Sequence, residues 1–555
     1  MRKTMRARLL AGMLTICSFA GPAIGNAQTL APGAGPVTPI EHLVIIFQEN
    51  ISFDHYFGTY PYALNTEGQP PFTPLPGTPS VNGLTASLMA NNPNAYNAGN
   101  GTGMMNPFRL DRSQAATADQ DHDYTPEQMA FHAGLMDAFP MSTGTAGPPP
   151  SGSMGSSTGL VMGYYDGNTV TALWNYAQRY AMSDNSYGTT FGPSTVGAVN
   201  LISGQNNGVT ATLNGTGSLI DGGSASMTNI GDADPIGDVC SSSSGSQFSL
   251  GGQNVGDLLN AAGVSWGFFE GGFNLTVTNP DGSTGCSRTT TSLYTDTKKA
   301  DYIPHHQPFQ YYKSTANPTH ARPTSVATIG QAGDAGNHQY DINDFFAAVT
   351  AGNFPAVSYL KAPGFQDGHA GYSDPLDEQQ FLVTAINFLQ GQKTWPSTAV
   401  IIAYDDSDGW YDHQMSPLVN QSTTSADMLT GTGQCGNGST ALAGIGTSNP
   451  HAQGRCGYGP RLPLLVISPW AKINYVDHTI TDQTSILRFI EDNWLNGQRI
   501  GQGSFDTIAN PLDNMFDFTT PNSTPYILDA FGGFVVSGSV GTQAVNAQRV
   551  LKPKR

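Results

Sequence analysis

Two apolar runs that stop abruptly on acidic residues constrain this chain more than any other feature. His42-Leu43-Val44-Ile45-Ile46-Phe47 is short and rich in β-branched residues, and it ends on Gln48, Glu49 and Asn50. Ala399-Val400-Ile401-Ile402-Ala403-Tyr404 has the same design and ends on Asp405 and Asp406. Both read as buried strands. A carboxylate at the end of a buried strand costs desolvation free energy unless something pairs with it. In open α/β sheets, ligands collect beyond the carboxyl ends of the strands. The two ends therefore point to one shared, oxygen-rich metal site built from residues far apart in sequence.

The remaining pattern extends this design. Predicted helices over 125–138, 168–181, 255–259, 341–350, 378–389 and 481–494 alternate with predicted strands over 264–269, 354–360 and 463–467. A β-like run follows at 531–535. In 125–138, Met129, Phe131, Leu135 and Met136 recur as candidate apolar residues. Strands separated by helices define an α/β fold with a large, mainly parallel sheet and helices on both faces. Residues 61–119 and 417–459 are rich in turn-forming and polar residues and read as loop excursions from a single domain spanning 28–555.

Residues 1–27 read as a signal peptide. Arg2, Lys3, Arg6 and Arg8 precede an apolar stretch, and Gly25-Asn26-Ala27 offers small residues for cleavage. The apolar stretch is shorter than the roughly 20 residues that a membrane span needs. The expected location is therefore periplasmic or secreted. Without the leader, the net charge falls from −18 to −22. That balance argues against nucleic acid or an anionic membrane as a partner held by bulk charge. It does not exclude phosphorylated substrates, because a local metal can outweigh the global field. No later stretch is long and apolar enough to span a bilayer, and the oligomeric state is not encoded in any motif. An oxidising compartment favours two disulfides, Cys240–Cys286 and Cys435–Cys456, each clipping a loop-like segment. The rival, a thiolate zinc site, lacks CxxC spacing.

Four sets of groups carry the chemistry. Glu49, Asn50, Asp405 and Asp406 are hard oxygen donors that suit one divalent ion, with Mg, Ca, Mn and Zn all fitting by type. Ser194 follows Gly192-Pro193 at the start of a short predicted helix, Val196 to Ile202. There it can be a helix cap or a hydroxyl beside free N–H groups suited to phosphate. His122, His305, His306 and His369 lie in loops. Each alone is an ordinary surface or packing residue, whereas together they resemble the donors needed around a phosphoryl group. The combination fits phosphoester hydrolysis, with Ser194 attacking phosphorus and histidines protonating the leaving alkoxide. A structural calcium site in a secreted binding protein fits the same residues.

EHLVIIFQENISFDHYFGTYP (41–61) resembles the opening motif of a bacterial phosphoesterase family. That family contains phospholipases C and an acid phosphatase branch, within the alkaline phosphatase-like superfamily. DHDY (121–124), SDNSYGTTFGPSTVGAVNLISG (183–204), NVGDLLNAAGVSWGFFEGGF (254–273), PHH (304–306), GHAGYSDP (368–375), IIAYDDSDGWYDH (401–413) and YGPRLPLLVISPWA (458–471) continue it in order. The resemblance implies metal ligands at Glu49, Asn50, Ser194, Asp405 and Asp406, with Ser194 as nucleophile. It also implies active-site roles for His122, His305, His306 and His369. Phospholipases carry threonine at the nucleophile position and commonly Asp-Glu at the late pair. Serine and Asp-Asp here point to the acid phosphatase branch, acting on small phosphorylated substrates through a phosphoserine intermediate. Cleavage of phosphatidylcholine by a phospholipase C is the alternative. It would engage phospholipid headgroups, with Tyr56, Trp410 and Tyr411 as candidate aromatics for choline. A catalytically dead binding protein on the same scaffold is a third reading. Val196 stands where the family usually has proline, and Thr195 is the fallback nucleophile.

Overall fold

The run from His42 forms a strand whose apolar residues, Leu43 to Phe47, are withdrawn from water. His42–Gln48 (β1) lies inside an eight-stranded sheet, and Leu43 to Phe47 are almost completely buried. A strand covered on both faces needs an unbroken apolar run instead of alternation. The computed structural model describes residues 35–144, 158–223, 226–437, 441–445 and 451–536. The leader expected at 1–27 lies outside them.

The other strands of this sheet are Ala181–Ser183 (β2), Trp266–Glu270 (β3), Gln339–Asp341 (β4), Val357–Lys361 (β5), Thr398–Tyr404 (β6), Leu464–Ile467 (β7) and Tyr475–Asp477 (β8). Their order is β4-β3-β5-β1-β6-β7-β2-β8. Every pairing is parallel except those of β7, which runs antiparallel to β6 and β2. This is the expected α/β, mainly parallel, alkaline phosphatase-like arrangement, flanked by helices. In register, β1 sits between β5 and β6, with Ile46 opposite Leu360 and Ile402. The parallel direction brings the ends of β3, β5, β1 and β6 to one edge of the sheet, where Glu270, Lys361, Glu49 and Asp405 fall.

Ser194–Ser203 (α1) is a helix buried at all ten positions. It packs against that edge so closely that a Cβ on Gly197 would collide with the Asp405 carbonyl. Glycine there sets the approach of the Ser194 helix to the Asp405 loop.

Two expectations need correction. The helix predicted over 125–138 stops at Phe131, and Met129 and Leu135 are exposed. His132, Ala133 and Met136 take φ of 45°, 54° and 51°, a left-handed conformation that cannot continue a right-handed helix. The run at 531–535 is a turn, joined to the chain before it by an isolated bridge from Leu528 to Val535. Residues 207–250 hold a second, five-stranded sheet that the sequence does not announce. Its longest strand, Asn207–Leu213, is mostly exposed and carries Thr and Asn instead of an apolar run.

Both disulfides are formed as expected, Cys240–Cys286 and Cys435–Cys456, across separations of 46 and 21 residues. Closing loops of this size stabilises a fold by about 3 kcal/mol each. Reduction should therefore lower the melting temperature. Unaltered melting after confirmed reduction would contradict a structural role for the two bridges.

Candidate functional site

The nucleophile candidate is placed by its helix. Pro193, extended at φ −78° and ψ −174°, occupies the capping position, so Ser194 is the first helical residue and is not the cap. Its Oγ lies 3.0 Å from Glu49 Oε2 and 3.2 Å from Asp406 Oδ2. A hydroxyl has one proton and can donate to only one of these oxygens. The other approach needs a cation or a shared proton. The expectation of free N–H groups is only partly met, because the Thr195 N–H donates to Asp232 Oδ1 at 2.9 Å. Thr195 itself is buried, and its hydroxyl makes no hydrogen bond.

The strand ends supply the rest. Glu49, Asn50, Asp405 and Asp406 are all at most 3% exposed, too deep for water to balance their charge. Asn50 takes φ 55°, a left-handed turn that asparagine tolerates, as β1 leaves the sheet. Its N–H donates to Asp405 Oδ1 at 3.3 Å, tying the two strand ends together. Asn50 Oδ1 and Asp405 Oδ2 are buried without a hydrogen-bond partner. Burial and the neighbouring Glu49 raise the Asp405 carboxyl well above its usual range. Burial, with a smaller push from Glu49, brings Asp406 up to about 7. Burial would also raise Glu49, but His306 and Lys361 outweigh it and hold that carboxyl low. Crowded carboxylates, orphaned oxygens and an over-shared serine are what a divalent cation would relieve. The donor set therefore fits one.

The histidines gather around this edge. His122 Nδ1 donates to the Gln120 carbonyl at 2.9 Å, and its Nε2 lies 3.2 Å from Asn50 Nδ2. Burial disfavours charge on His122, but Asp406, Asp408 and Asp119 override it and raise its pKa. His369 packs edge-on to His122 with ring centroids 5.8 Å apart, and burial lowers its pKa. His306 Nδ1 is 3.4 Å from Glu49 Oε1. His305 turns instead toward Asp234 and Asp232, at 3.6 and 3.9 Å. Two compact groups able to hold an ion occur among the described residues here, Glu49–His306–Asp367 and His122–His369–Asp408, whereas Glu49, Asp405 and Asp406 do not draw together as closely.

Five polar residues of this region escape a reading of the sequence. Lys361 pairs with Glu49 and lies 3.5 Å from Asp405. Asp367 accepts from the Tyr372 hydroxyl at 3.0 Å. Both oxygens of the fully buried Asp408 make no hydrogen bond. Glu127 accepts from Ser407 Oγ at 2.6 Å and from the Gly192 N–H at 3.0 Å, joining the loop before Ser194 to the loop after Asp406. Asp232 takes the helix N-terminus. Lys361 alone leaves a signal, as the charge that ends a buried apolar run.

The proposed choline aromatics do not gather as a cage. Tyr56 donates to Glu378, Trp410 stacks on His55 at 3.9 Å, and Tyr411 accepts from Asn92. All three are at most 3% exposed, as parts of the packing beneath the site.

An oxygen-rich cluster lies at the strand ends of a mainly parallel sheet, with a helix-borne serine facing it. The sequence model of the Phosphoesterase family matches residues 40–495, and the chain belongs to that family. It is 23% identical over 509 residues to the non-hemolytic phospholipase C of Pseudomonas aeruginosa, covering 89% of this chain and 59% of that one. It is 23% identical over 519 residues to phospholipase C A of Mycobacterium tuberculosis, covering 92% and 83%. It is 24% identical over 513 residues to the non-hemolytic phospholipase C of Burkholderia pseudomallei, covering 90% and 62%. The chain thus spans less than two thirds of the two non-hemolytic relatives.

Proposed function

We propose that this protein cleaves phosphoesters with Ser194 as nucleophile, at a single divalent ion held by Glu49, Asn50, Asp405, Asp406 and Ser194 itself. The observation that carries the reading is the Ser194 hydroxyl, set by its helix between two buried carboxylates. When bound, the ion supplies positive charge that lowers the hydroxyl pKa and offsets the phosphoryl oxygens. Ser194 gives its proton to one of the carboxylates it faces, Glu49 or Asp406, and its Oγ forms the new bond to phosphorus in line with the departing oxygen. The bond to the leaving alkoxide breaks, and a histidine from the set His122, His305, His306 and His369 gives that oxygen a proton. Water then attacks phosphorus, the bond to Ser194 Oγ breaks, and Ser194 takes back a proton.

For the substrate, the relatives favour the alternative over the acid phosphatase reading. Phospholipases C span most of this chain, which supports cleavage of a phospholipid to diacylglycerol and a phosphorylated headgroup. A second reading, hydrolysis of phosphate monoesters, rests on serine at position 194 and on the Asp405–Asp406 pair. Export to the periplasm or medium belongs to the proposal too, and the two disulfides fit an oxidising compartment.

Steady-state kinetics on p-nitrophenyl phosphorylcholine beside p-nitrophenyl phosphate, with added divalent metal, separates the two. The diester should show a kcat/KM at least about tenfold higher, a difference of about 1.4 kcal/mol. The reverse preference would move the protein to the phosphatase reading and leave the serine mechanism standing. Turnover of neither would contradict both.

A further inference from the structure

Four adjacent strands, β3, β5, β1 and β6, deliver Glu270, Lys361, Glu49 and Asp405 to one sheet edge. Three are acids, and Lys361 is the exception. It is 1% exposed, its ammonium pairs with Glu49 Oε1, and it stands 3.5 Å from Asp405 Oδ2. Glu49 thus divides its oxygens, one toward Lys361 and the other toward Ser194 at 3.0 Å. His306 approaches the same Oε1 at 3.4 Å. A buried ammonium that shares two carboxylates with a cation site acts on whatever charge enters that site, because the low local dielectric screens it poorly.

We infer that Lys361 is a resident cation of this site: its ammonium weakens the hold of Glu49 and Asp405 on a divalent ion and strengthens the hold of the loaded site on a phosphoryl group. The inference rests on the proposed reading of Glu49 and Asp405 as metal ligands. Both effects follow from one charge. Lys361 repels the incoming cation and competes for the carboxylate oxygens that would ligate it. The same charge, left in place beside the ion, adds to the field that attracts a phosphate anion. Lys361 touches no reacting atom in this arrangement, so it is a positioning and electrostatic residue. Opposite signs on cation and anion binding distinguish that role from a structural one, whose loss weakens both.

Calorimetric titration of the full chain with Mn²⁺, and then of the Mn²⁺-loaded protein with inorganic phosphate, reads both signs. Lys361→Met should bind Mn²⁺ at least about tenfold more tightly and phosphate at least about tenfold more weakly. Lys361→Arg, which keeps the charge, should stay within about threefold of the parent on both. Weaker Mn²⁺ binding in Lys361→Met, unchanged values, or a Lys361→Met chain that is unfolded by circular dichroism would each overturn the inference. A parent protein that binds no Mn²⁺ would instead overturn the metal-site reading itself, and this inference with it.

Discussion

Ser194→Ala should fold and melt like the parent protein and lose on the order of 10⁴-fold or more in kcat, the scale at which removing a nucleophile abolishes a covalent mechanism. The side chain is 2% exposed and its hydroxyl faces only the two carboxylates, so removing one oxygen opens little space in the core. Single-turnover kinetics with a chromogenic phosphoester measures the loss, and acid quenching followed by peptide mass analysis reads phosphate on Ser194 in the parent. Retained turnover in Ser194→Ala with phosphate on Thr195 would transfer the role to the neighbouring hydroxyl. Retained turnover with no phosphopeptide would remove the covalent mechanism.

Asp406→Asn should weaken divalent binding by about 100-fold or more and cut turnover in step, with little change in secondary structure. Asp406 is held by the chain around it: its Oδ1 accepts the Asp408 N–H at 2.7 Å, and its Oδ2 faces Ser194. The amide keeps that shape but removes one negative charge from the ion. Equilibrium dialysis measures metal stoichiometry and affinity directly. Unchanged affinity would take Asp406 out of the ligand set. The Asn50 N–H to Asp405 tie should survive this substitution, because it uses the other aspartate.

The parts of this architecture legible in the sequence are those that a local pattern specifies. β1 and β6 are legible because a strand buried on both faces must be apolar throughout, and because Glu49 and Asp405 stop the run so sharply. Gly192-Pro193 marks the start of the Ser194 helix for the same local reason. Lys361 is different. At the end of an apolar run it reads as an ordinary charged strand end, and only the register of β5 beside β1 gives it Glu49 as a partner. Glu127 and Asp408 acquire meaning only when distant loops close over the same edge. The helix expected through 138 fails at His132, whose left-handed backbone leaves no mark in residue type that distinguishes it from its neighbours. The second sheet escapes because half-exposed strands of Thr, Ser and Asn look like loop.

The aromatic residues teach a related lesson. Tyr56, Trp410 and Tyr411 sit within the motifs at 41–61 and 401–413, which makes them natural candidates for a headgroup pocket. Their rings instead support the strand ends from beneath: Tyr56 and Tyr404 share Glu378, and Trp410 covers His55. Residues beside a site in sequence can serve it by packing alone. If choline is recognised, other residues must do it.

The proposed chemistry turns on one divalent ion shared by the two strand ends and the serine. Anomalous diffraction from crystals soaked in Mn²⁺ tests it most directly. One strong peak is expected within roughly 2.0–2.6 Å of oxygens from Glu49, Asn50, Asp405, Asp406 and Ser194. A peak among Glu49, His306 and Asp367, or among His122, His369 and Asp408, with nothing beside Ser194, would contradict it.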